Sequence, residues 1–163
     1  MNRNMYYSSV LGCNLGMFYK RRDYTRVVNG RNPIVAHEYL GDSVEGKTVF
    51  IADDIIASGE SMLEVASNLK ARGAGRIIAN ATFPLFTSGL EKFDQAVAEG
   101  KLDYVVGTNL TYRQPELLTR DWYVDVDVSK YAAYFVVALN HDMSVSSIID
   151  PIKKIEALLA KRK

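Results

Sequence analysis

The middle of the sequence reads Thr48-Val49-Phe50-Ile51-Ala52-Asp53-Asp54-Ile55-Ile56-Ala57-Ser58-Gly59-Glu60-Ser61. Its first five residues form an apolar, partly β-branched run that ends at an acidic pair, which is typical of a strand buried on both faces of a parallel sheet. The apolar residues that follow recur at helical spacing, namely Met62, Val65, Ala66 and Leu69, and Gly73 is a helix stop. A second apolar run over residues 77–81 completes a strand, helix, strand unit.

The same alternation continues on both sides of this unit. It predicts a helix over residues 89–99, strands over residues 104–106 and 123–126, and upstream strands over residues 15–19 and 34–40. Ser129 is expected to cap a helix over residues 130–139 that is apolar nearly all round and therefore buried, and a final helix begins near Pro151. We therefore expect an α/β fold in three layers, with a mostly parallel sheet and flanking helices, in one domain over residues 1–163.

Composition excludes several classes of protein. The 163 residues carry 20 Lys+Arg and 19 Asp+Glu, a formal charge of +1, with 48% hydrophobic and 24% charged residues, so neither a disordered chain nor a nucleic-acid-binding protein is expected. No apolar run approaches the ~20 residues of a membrane span, and residues 1–7 lack the apolar core of a signal peptide. Cys13 alone allows no intrachain disulfide, and we expect a cytoplasmic protein.

Two segments have sequences that resemble phosphate-binding patterns. Residues 41–48 match the P-loop pattern, but that loop must open a helix, and here Lys47 and Thr48 run straight into a strand, so a simple turn is expected. The segment after the strand has the right order, because residues 58–61 form a short Ser-Gly-x-Ser turn that opens a helix. Its amides and hydroxyls could bind a phosphomonoester at the positive end of the helix dipole.

The acidic pair one short loop away could accept hydrogen bonds from sugar hydroxyls or reach a Mg²⁺ ion. A phosphate at one end and a diol at the other describe a ribose phosphate. The alternative is that Ser58 or Ser61 only caps the helix and that Asp53 and Asp54 are a solvated strand end. The residues alone leave both interpretations open.

Residues 49–61 resemble the phosphoribosyl-binding signature of type I phosphoribosyltransferases and of the related ribose-phosphate diphosphokinases. Three further segments resemble the diphosphokinases: Tyr19-Lys20-Arg21-Arg22 is similar to their mobile catalytic loop, residues 73–86 to the segment after their binding helix, and Ser144-Val145-Ser146 to a Ser-Val-Ser near their terminus. The resemblance covers nearly the whole chain and implies a type I phosphoribosyltransferase-like fold.

The resemblance assigns roles to individual residues. Lys20 and Arg22 would be the catalytic pair of a flexible lid formed by a cationic segment that also includes Arg26 and Arg31, although from the residues alone a solvated loop is the simpler interpretation. The ribose 5-phosphate site would consist of Asp53, Asp54, Ala57, Ser58, Gly59, Glu60 and Ser61. Ser144 and Ser146 would belong to a regulatory phosphate site, although from the residues alone a turn or cap before the final helix is the simpler interpretation.

Two residues of the segment 57–61, hereafter called the phosphate loop, depart from the diphosphokinase pattern. Ala57 stands where that family usually has Asp, and Glu60 stands where it usually has Gly. The first change removes a carboxylate beside the ribose, and the second adds negative charge near a phosphate. Both changes bear on whether the chain catalyses a reaction.

The resemblance also implies an activity and partners. Ribose-phosphate diphosphokinases transfer diphosphate from Mg²⁺-bound ATP to the anomeric hydroxyl of ribose 5-phosphate and release AMP. They normally have two similar domains, of which this chain resembles the second, so we expect the isolated chain to be nearly inactive. The resemblance also implies a homo-oligomer. The alternatives are a non-catalytic regulatory or nucleotide-binding subunit, and a phosphoribosyltransferase, although no hood segment for a nucleobase is evident.

Overall fold

The computed structural model describes residues 3–22 and 34–161. The chain divides into two compact units, Met1–Val44 and Glu45–Lys163. One domain over residues 1–163 stays a prediction. None of the helices in the described ranges has the length and apolar character that crossing a bilayer requires.

The first unit contains a helix and a hairpin. Helix α1 (Arg3–Leu11) precedes strands β1 (Met17–Arg22) and β2 (Ile34–Leu40), which pair antiparallel with an irregularity between Arg21 and Arg22. The limits of β2 are as predicted. Strand β1 begins two residues later than predicted and includes the cationic residues that the sequence placed after it, because pairing with β2 extends through them.

The second unit is a parallel sheet with helical connections. Its elements are β3 (Thr48–Ile56), α2 (Glu60–Ala71), β4 (Arg76–Pro84), α3 (Glu91–Ala98), β5 (Tyr104–Thr108), a 3-10 turn (Leu117–Thr119), β6 (Tyr123–Val126), α4 (Ser129–Asn140), α5 (Ser146–Ile149) and α6 (Ile152–Ala160). The strands lie in the order β3-β4-β5-β6 and every pair is parallel. The predicted mostly parallel sheet with flanking helices is confirmed, and the carboxyl ends of its strands share one edge.

The connection from β3 to β4 follows the sequence pattern closely. Helix α2 buries Met62, Ala66 and Leu69 at the predicted spacing. The helix ends at Ala71 and is followed by Gly73, whose φ of +83° is accessible to glycine. The Gly73 amide donates to the Lys70 carbonyl and the Ala74 amide to the Leu69 carbonyl, which is the Schellman ending. The chain can therefore turn sharply into β4.

The core of this unit is formed by the sheet and by helices α2 and α3. In β4, Ile77, Ala79 and Ala81 are fully buried on one face. An aromatic cluster of Phe86, Phe93 and Trp122 extends this core, with ring centroids 4.9 Å apart for Phe86 and Phe93 and 5.8 Å apart for the stacked Phe93 and Trp122. Full burial of a side chain of this size contributes about 1.5–3 kcal/mol, so the cluster is a main support of α3.

Two predictions of burial were wrong. Strand β3 lies at one edge of the four-stranded sheet, and Phe50 in it is 45% exposed and not buried. Helix α4 buries only Ala138, while Val136 and Leu139 are 67% and 68% exposed, because the described elements leave its apolar face uncovered.

The predicted cap of α4 was also wrong. Ser129 is the first residue of the helix and not its cap, and its amide donates to the Asp127 carboxylate at 2.8 Å. The pKa of Asp127 is lowered because the Ser129 hydroxyl and amide donate hydrogen bonds to it. Asp127, two residues before Ser129, therefore accepts the hydrogen bond at the start of the helix, the role that was predicted for Ser129.

Candidate functional site

Strand β3 is longer than the sequence indicated. Ile55 and Ile56 still pair with Phe83 and Pro84 of β4, so the strand does not end at the acidic pair. Asp53 and Asp54 are both exposed, and their side chains point to opposite faces because side chains alternate along a strand. Asp53 lines a depression at the end of β3, whereas Asp54 does not. The prediction that the strand ends at the acidic pair was therefore wrong.

A turn held by β4 follows the strand. The carbonyl of Ile56 accepts hydrogen bonds from the amides of Leu85 (2.9 Å) and Phe86 (3.2 Å), and the carbonyl of Ala57 accepts one from the Thr87 amide at 3.0 Å. Ile56 is 1% exposed and anchors the turn in the core. The segment that approaches α2 is thus fixed by backbone hydrogen bonds together with the buried side chain of Ile56.

Gly59 is the residue from which α2 begins. Its φ of +79° lies in the left-handed region, and no side chain caps the helix there. The Glu60 amide lies 3.5 Å from the Ser58 hydroxyl, at the limit of a hydrogen bond. Capping by Ser58 or Ser61, the alternative that the sequence left open, is therefore not what the structure has. The first-turn amides have no acceptor within the helix, and the residues that carry them line a depression.

A close contact adds a second reason for glycine at residue 59. A Cβ atom at this position would lie 2.3 Å from the Phe93 ring, and Phe93 is fully buried. Any side chain here would displace the core. Gly59 therefore lets the loop approach α3 as closely as it does.

The depression formed by these residues has a volume of about 170 Å³. The residues that line it are Asp53, Ile55, Ile56, Ala57, Ser58, Gly59, Glu60, Ser61 and Met62. The structure thus brings together six of the seven residues predicted for the ribose 5-phosphate site. Hydroxyls, first-turn amides and the carboxylate of Asp53 on a single concave surface can bind a phosphorylated, hydroxylated molecule, while Glu60 adds a second carboxylate to the same surface.

Glu60 is paired and not isolated beside this surface. The Lys92 Nζ atom of α3 donates to the Glu60 Oε1 atom at 2.6 Å. This hydrogen bond, together with the positive charge of Lys92, lowers the pKa of Glu60. The negative charge that the sequence placed near a phosphate is therefore partly neutralised.

Helix α3 is fixed to the connection between β5 and β6. The Arg120 guanidinium donates to both carboxylate oxygens of Asp94 at 2.9–3.2 Å, and the Trp122 indole donates to Asp94 at 2.7 Å. Burial raises the pKa of Asp94, but the hydrogen bonds from Arg120 and Trp122 outweigh it and the pKa lies below its usual value. Sequence reasoning missed Lys92, Phe93 and Asp94, since no local pattern connects α3 with residues 59 and 60.

The other predicted site residues lie elsewhere in the fold. The backbone of Lys20 and Arg22 belongs to β1 in the first unit, while Arg26 and Arg31 lie outside the described residues. The Ser144 hydroxyl accepts a hydrogen bond from the Ser146 amide at 3.3 Å, at the start of α5. That is the turn expected from the residues alone. Their catalytic and regulatory roles stay predictions.

The residues that the structure describes contain no group of three or more His, Cys, Asp or Glu side chains placed to hold a metal ion. Mg²⁺ is often bound through one or two carboxylates and the phosphate oxygens of a nucleotide. Asp53 on the wall of the depression fits that mode of binding.

Comparison with known proteins defines the class of this chain. It belongs to the phosphoribosyl transferase domain family, whose model matches residues 3–109, more than half of the chain. Within this class the chain is similar to ribose-phosphate pyrophosphokinases. The one from Shewanella oneidensis is 28% identical over 134 residues, which are 82% of this chain and 39% of the relative.

Two further similarities support the class. Orotate phosphoribosyltransferase from Oceanobacillus iheyensis is 39% identical over 64 residues, which are 39% of this chain and 30% of that protein. The crystal structure of phosphoribosylpyrophosphate synthetase from Mycobacterium smegmatis superposes with a TM-score of 0.66 at 20% identity, covering 85% of this chain and 41% of that one. The type I fold is confirmed. The chain spans less than half the length of the ribose-phosphate pyrophosphokinases it matches.

Proposed function

We propose that this chain is the acceptor-binding part of a ribose-phosphate diphosphokinase and that its depression binds ribose 5-phosphate. The observation that carries the proposal is the depression between the end of β3 and the start of α2, where two serines and an uncapped helix start face one concave surface. The family match and the names of the relatives support the same reaction class.

In this proposal, different residues bind the phosphate and the ribose. Amides of residues 59–61 and the hydroxyls of Ser58 and Ser61 bind the 5-phosphate, because the helix start supplies unpaired donors and a favourable dipole. Asp53 accepts hydrogen bonds from the ribose hydroxyls and orients the anomeric hydroxyl for attack on ATP. Mg²⁺ bound with ATP would neutralise the transferring diphosphate, and Asp53 would contact it.

We propose that Lys20 and Arg22 are the cationic pair that stabilises charge on the transferring group. The chain spans less than half the length of the ribose-phosphate pyrophosphokinases it matches. We therefore expect the isolated chain to bind ribose 5-phosphate without releasing AMP from ATP at an appreciable rate. A coupled assay for AMP measures this, and robust turnover by the chain alone would contradict it.

The binding site itself is tested by calorimetry with ribose 5-phosphate. The double substitution Ser58→Ala and Ser61→Ala removes two hydrogen bonds to a charged group, each contributing about 1.5–3 kcal/mol, so affinity should fall by at least tenfold. Ser67→Ala is the matched control, because Ser67 lies in the same helix but not on the depression. Its affinity should equal that of the unmodified chain.

Two results would refute the proposal. One is equal affinity of the double variant and the control. The other is binding of AMP or ADP without any binding of ribose 5-phosphate, which would indicate a regulatory nucleotide-binding subunit instead.

A further inference from the structure

Three consecutive residues of α3 connect the phosphate loop to the rest of the unit. Lys92 contacts Glu60, the Phe93 ring lies against Gly59, and Asp94 is bound by Arg120 and Trp122. The position of Lys92 is therefore set by a buried neighbour on one side and a three-residue network on the other. The packing of α3 thus fixes the backbone from which the Lys92 side chain reaches Glu60 in the first turn of α2.

A phosphate bound in the depression would lie beside the carboxylate of Glu60, so a nearby cation is needed to balance the negative charge. A phosphomonoester carries a charge of about −1.5 to −2 at neutral pH. Glu60 is the first residue of α2 and lines the same depression, so its carboxylate repels such a ligand. Lys92 is the cation already in contact with that carboxylate, at 2.6 Å.

The pair is exposed enough to reorganise. The side chains of Lys92 and Glu60 are 51% and 68% exposed, and ion pairs of this kind are weak because water competes for both charges. A phosphate with nearly twice the charge of a carboxylate is the stronger partner. A lysine ammonium also has three N–H donors, so it can contact a phosphate and keep its bond to Glu60.

We propose that Lys92 is a phosphate-binding residue of this site. Its ammonium contacts Glu60 before the ligand binds and contacts the phosphoryl oxygens of the sugar phosphate once it is bound. This inference rests on the proposed function. It gives α3 a role in phosphate binding in addition to that of the phosphate loop. It also explains how a glutamate can occupy the first turn of a helix that receives an anion.

The test is calorimetry with ribose 5-phosphate, and with inorganic phosphate as a second probe, on the full chain and four variants. Lys92→Met should lower the affinity for ribose 5-phosphate about tenfold, the loss of one charge-assisted contact. Glu60→Gln should raise it about threefold, because a repelling carboxylate is removed. Lys101→Met is the matched control, since Lys101 is 45% exposed and paired with Glu99 beyond the other end of α3. It should change the affinity less than twofold.

The double variant Glu60→Gln, Lys92→Met distinguishes contact from shielding. If Lys92 binds the phosphate, the affinity of the double variant falls at least threefold below that of Glu60→Gln. Equal affinity of those two would mean that Lys92 only neutralises Glu60, and would overturn the inference. Thermal unfolding of each variant, expected to be unchanged, shows that the affinities refer to folded protein.

The remaining outcomes separate this inference from the proposed function. If the serine double variant loses binding while Lys92→Met matches Lys101→Met, only the role of Lys92 is refuted. If the unmodified chain binds neither ribose 5-phosphate nor inorganic phosphate, both proposals are refuted together.

Discussion

Gly59 combines a backbone requirement with a packing requirement. A left-handed φ costs a residue with a Cβ about 1–2 kcal/mol, and overpacking against a buried ring costs about 1–3 kcal/mol more. We expect Gly59→Ala to lower the free energy of unfolding by about 2–5 kcal/mol, the sum of these two effects. Urea unfolding measures it.

Gly100 provides the control for Gly59→Ala. Its φ is +68°, but a Cβ there would meet nothing within 4 Å, so Gly100→Ala carries the backbone cost alone. The difference between the two variants isolates the contact with Phe93. Equal destabilisation would show that the ring moves aside without cost.

At the scale of single residues, the sequence indicated which residues matter but not the contacts that make them matter. Gly59 was singled out because it lets the backbone approach an anion, yet its nearest neighbour is the Phe93 ring, 34 residues away in the chain. Ser129 was assigned a cap that Asp127 provides. In both cases the decisive contact depends on packing or on the local turn, and residue type alone does not specify it.

Among the elements, α3 depends on one carboxylate. Asp94→Ala leaves the indole N–H of the buried Trp122 without its acceptor and removes the bidentate bond from Arg120. The ion pair is about one third exposed and is screened, so most of the expected loss of about 2 kcal/mol comes from Trp122. Urea unfolding at pH 7 measures this loss, and Glu99→Ala, an exposed carboxylate just after α3, is the comparison.

The lowered pKa of Asp94 gives this element a pH dependence. Because the folded-state pKa lies below the unfolded one, the stabilisation is present above the ordinary pKa of aspartate and is lost as the pH falls through the folded-state value. The gap between the unmodified chain and Asp94→Ala should therefore narrow on acidification from pH 5 to pH 2. A constant gap over that range would contradict the assignment.

The elements also show what periodicity can and cannot predict. The βαβ unit from β3 to β4 was predicted because apolar spacing and Gly73 are local signals. The extra length of β3 was missed, since Ile55 and Ile56 stay in the strand only by pairing with Phe83 and Pro84. The network that fixes α3 joins residues 26 and 28 positions apart and leaves no pattern in the sequence.

On the scale of the whole molecule, the described part of the second unit leaves apolar surface exposed on β3 and on α4. The outer strand β3 and the helix α4 have the composition of buried elements, yet both expose large side chains. Composition predicts that such elements will be covered but not by what. The chain spans less than half of its ribose-phosphate pyrophosphokinase relatives, and the predicted homo-oligomer stays a prediction.

The exposed face of α4 makes self-association the expected behaviour of the isolated chain. Val136, Val137 and Leu139 are 53–68% exposed on one helix, and contiguous apolar surface of this kind drives association. We expect the sedimentation coefficient to rise with concentration, and the double substitution Val136→Lys and Leu139→Lys to suppress that rise. Leu110→Lys, at a leucine that is 51% exposed in a loop, should leave it unchanged. An unmodified chain that stays monomeric at high concentration would contradict this expectation, because the apolar face of α4 would then be tolerated in water.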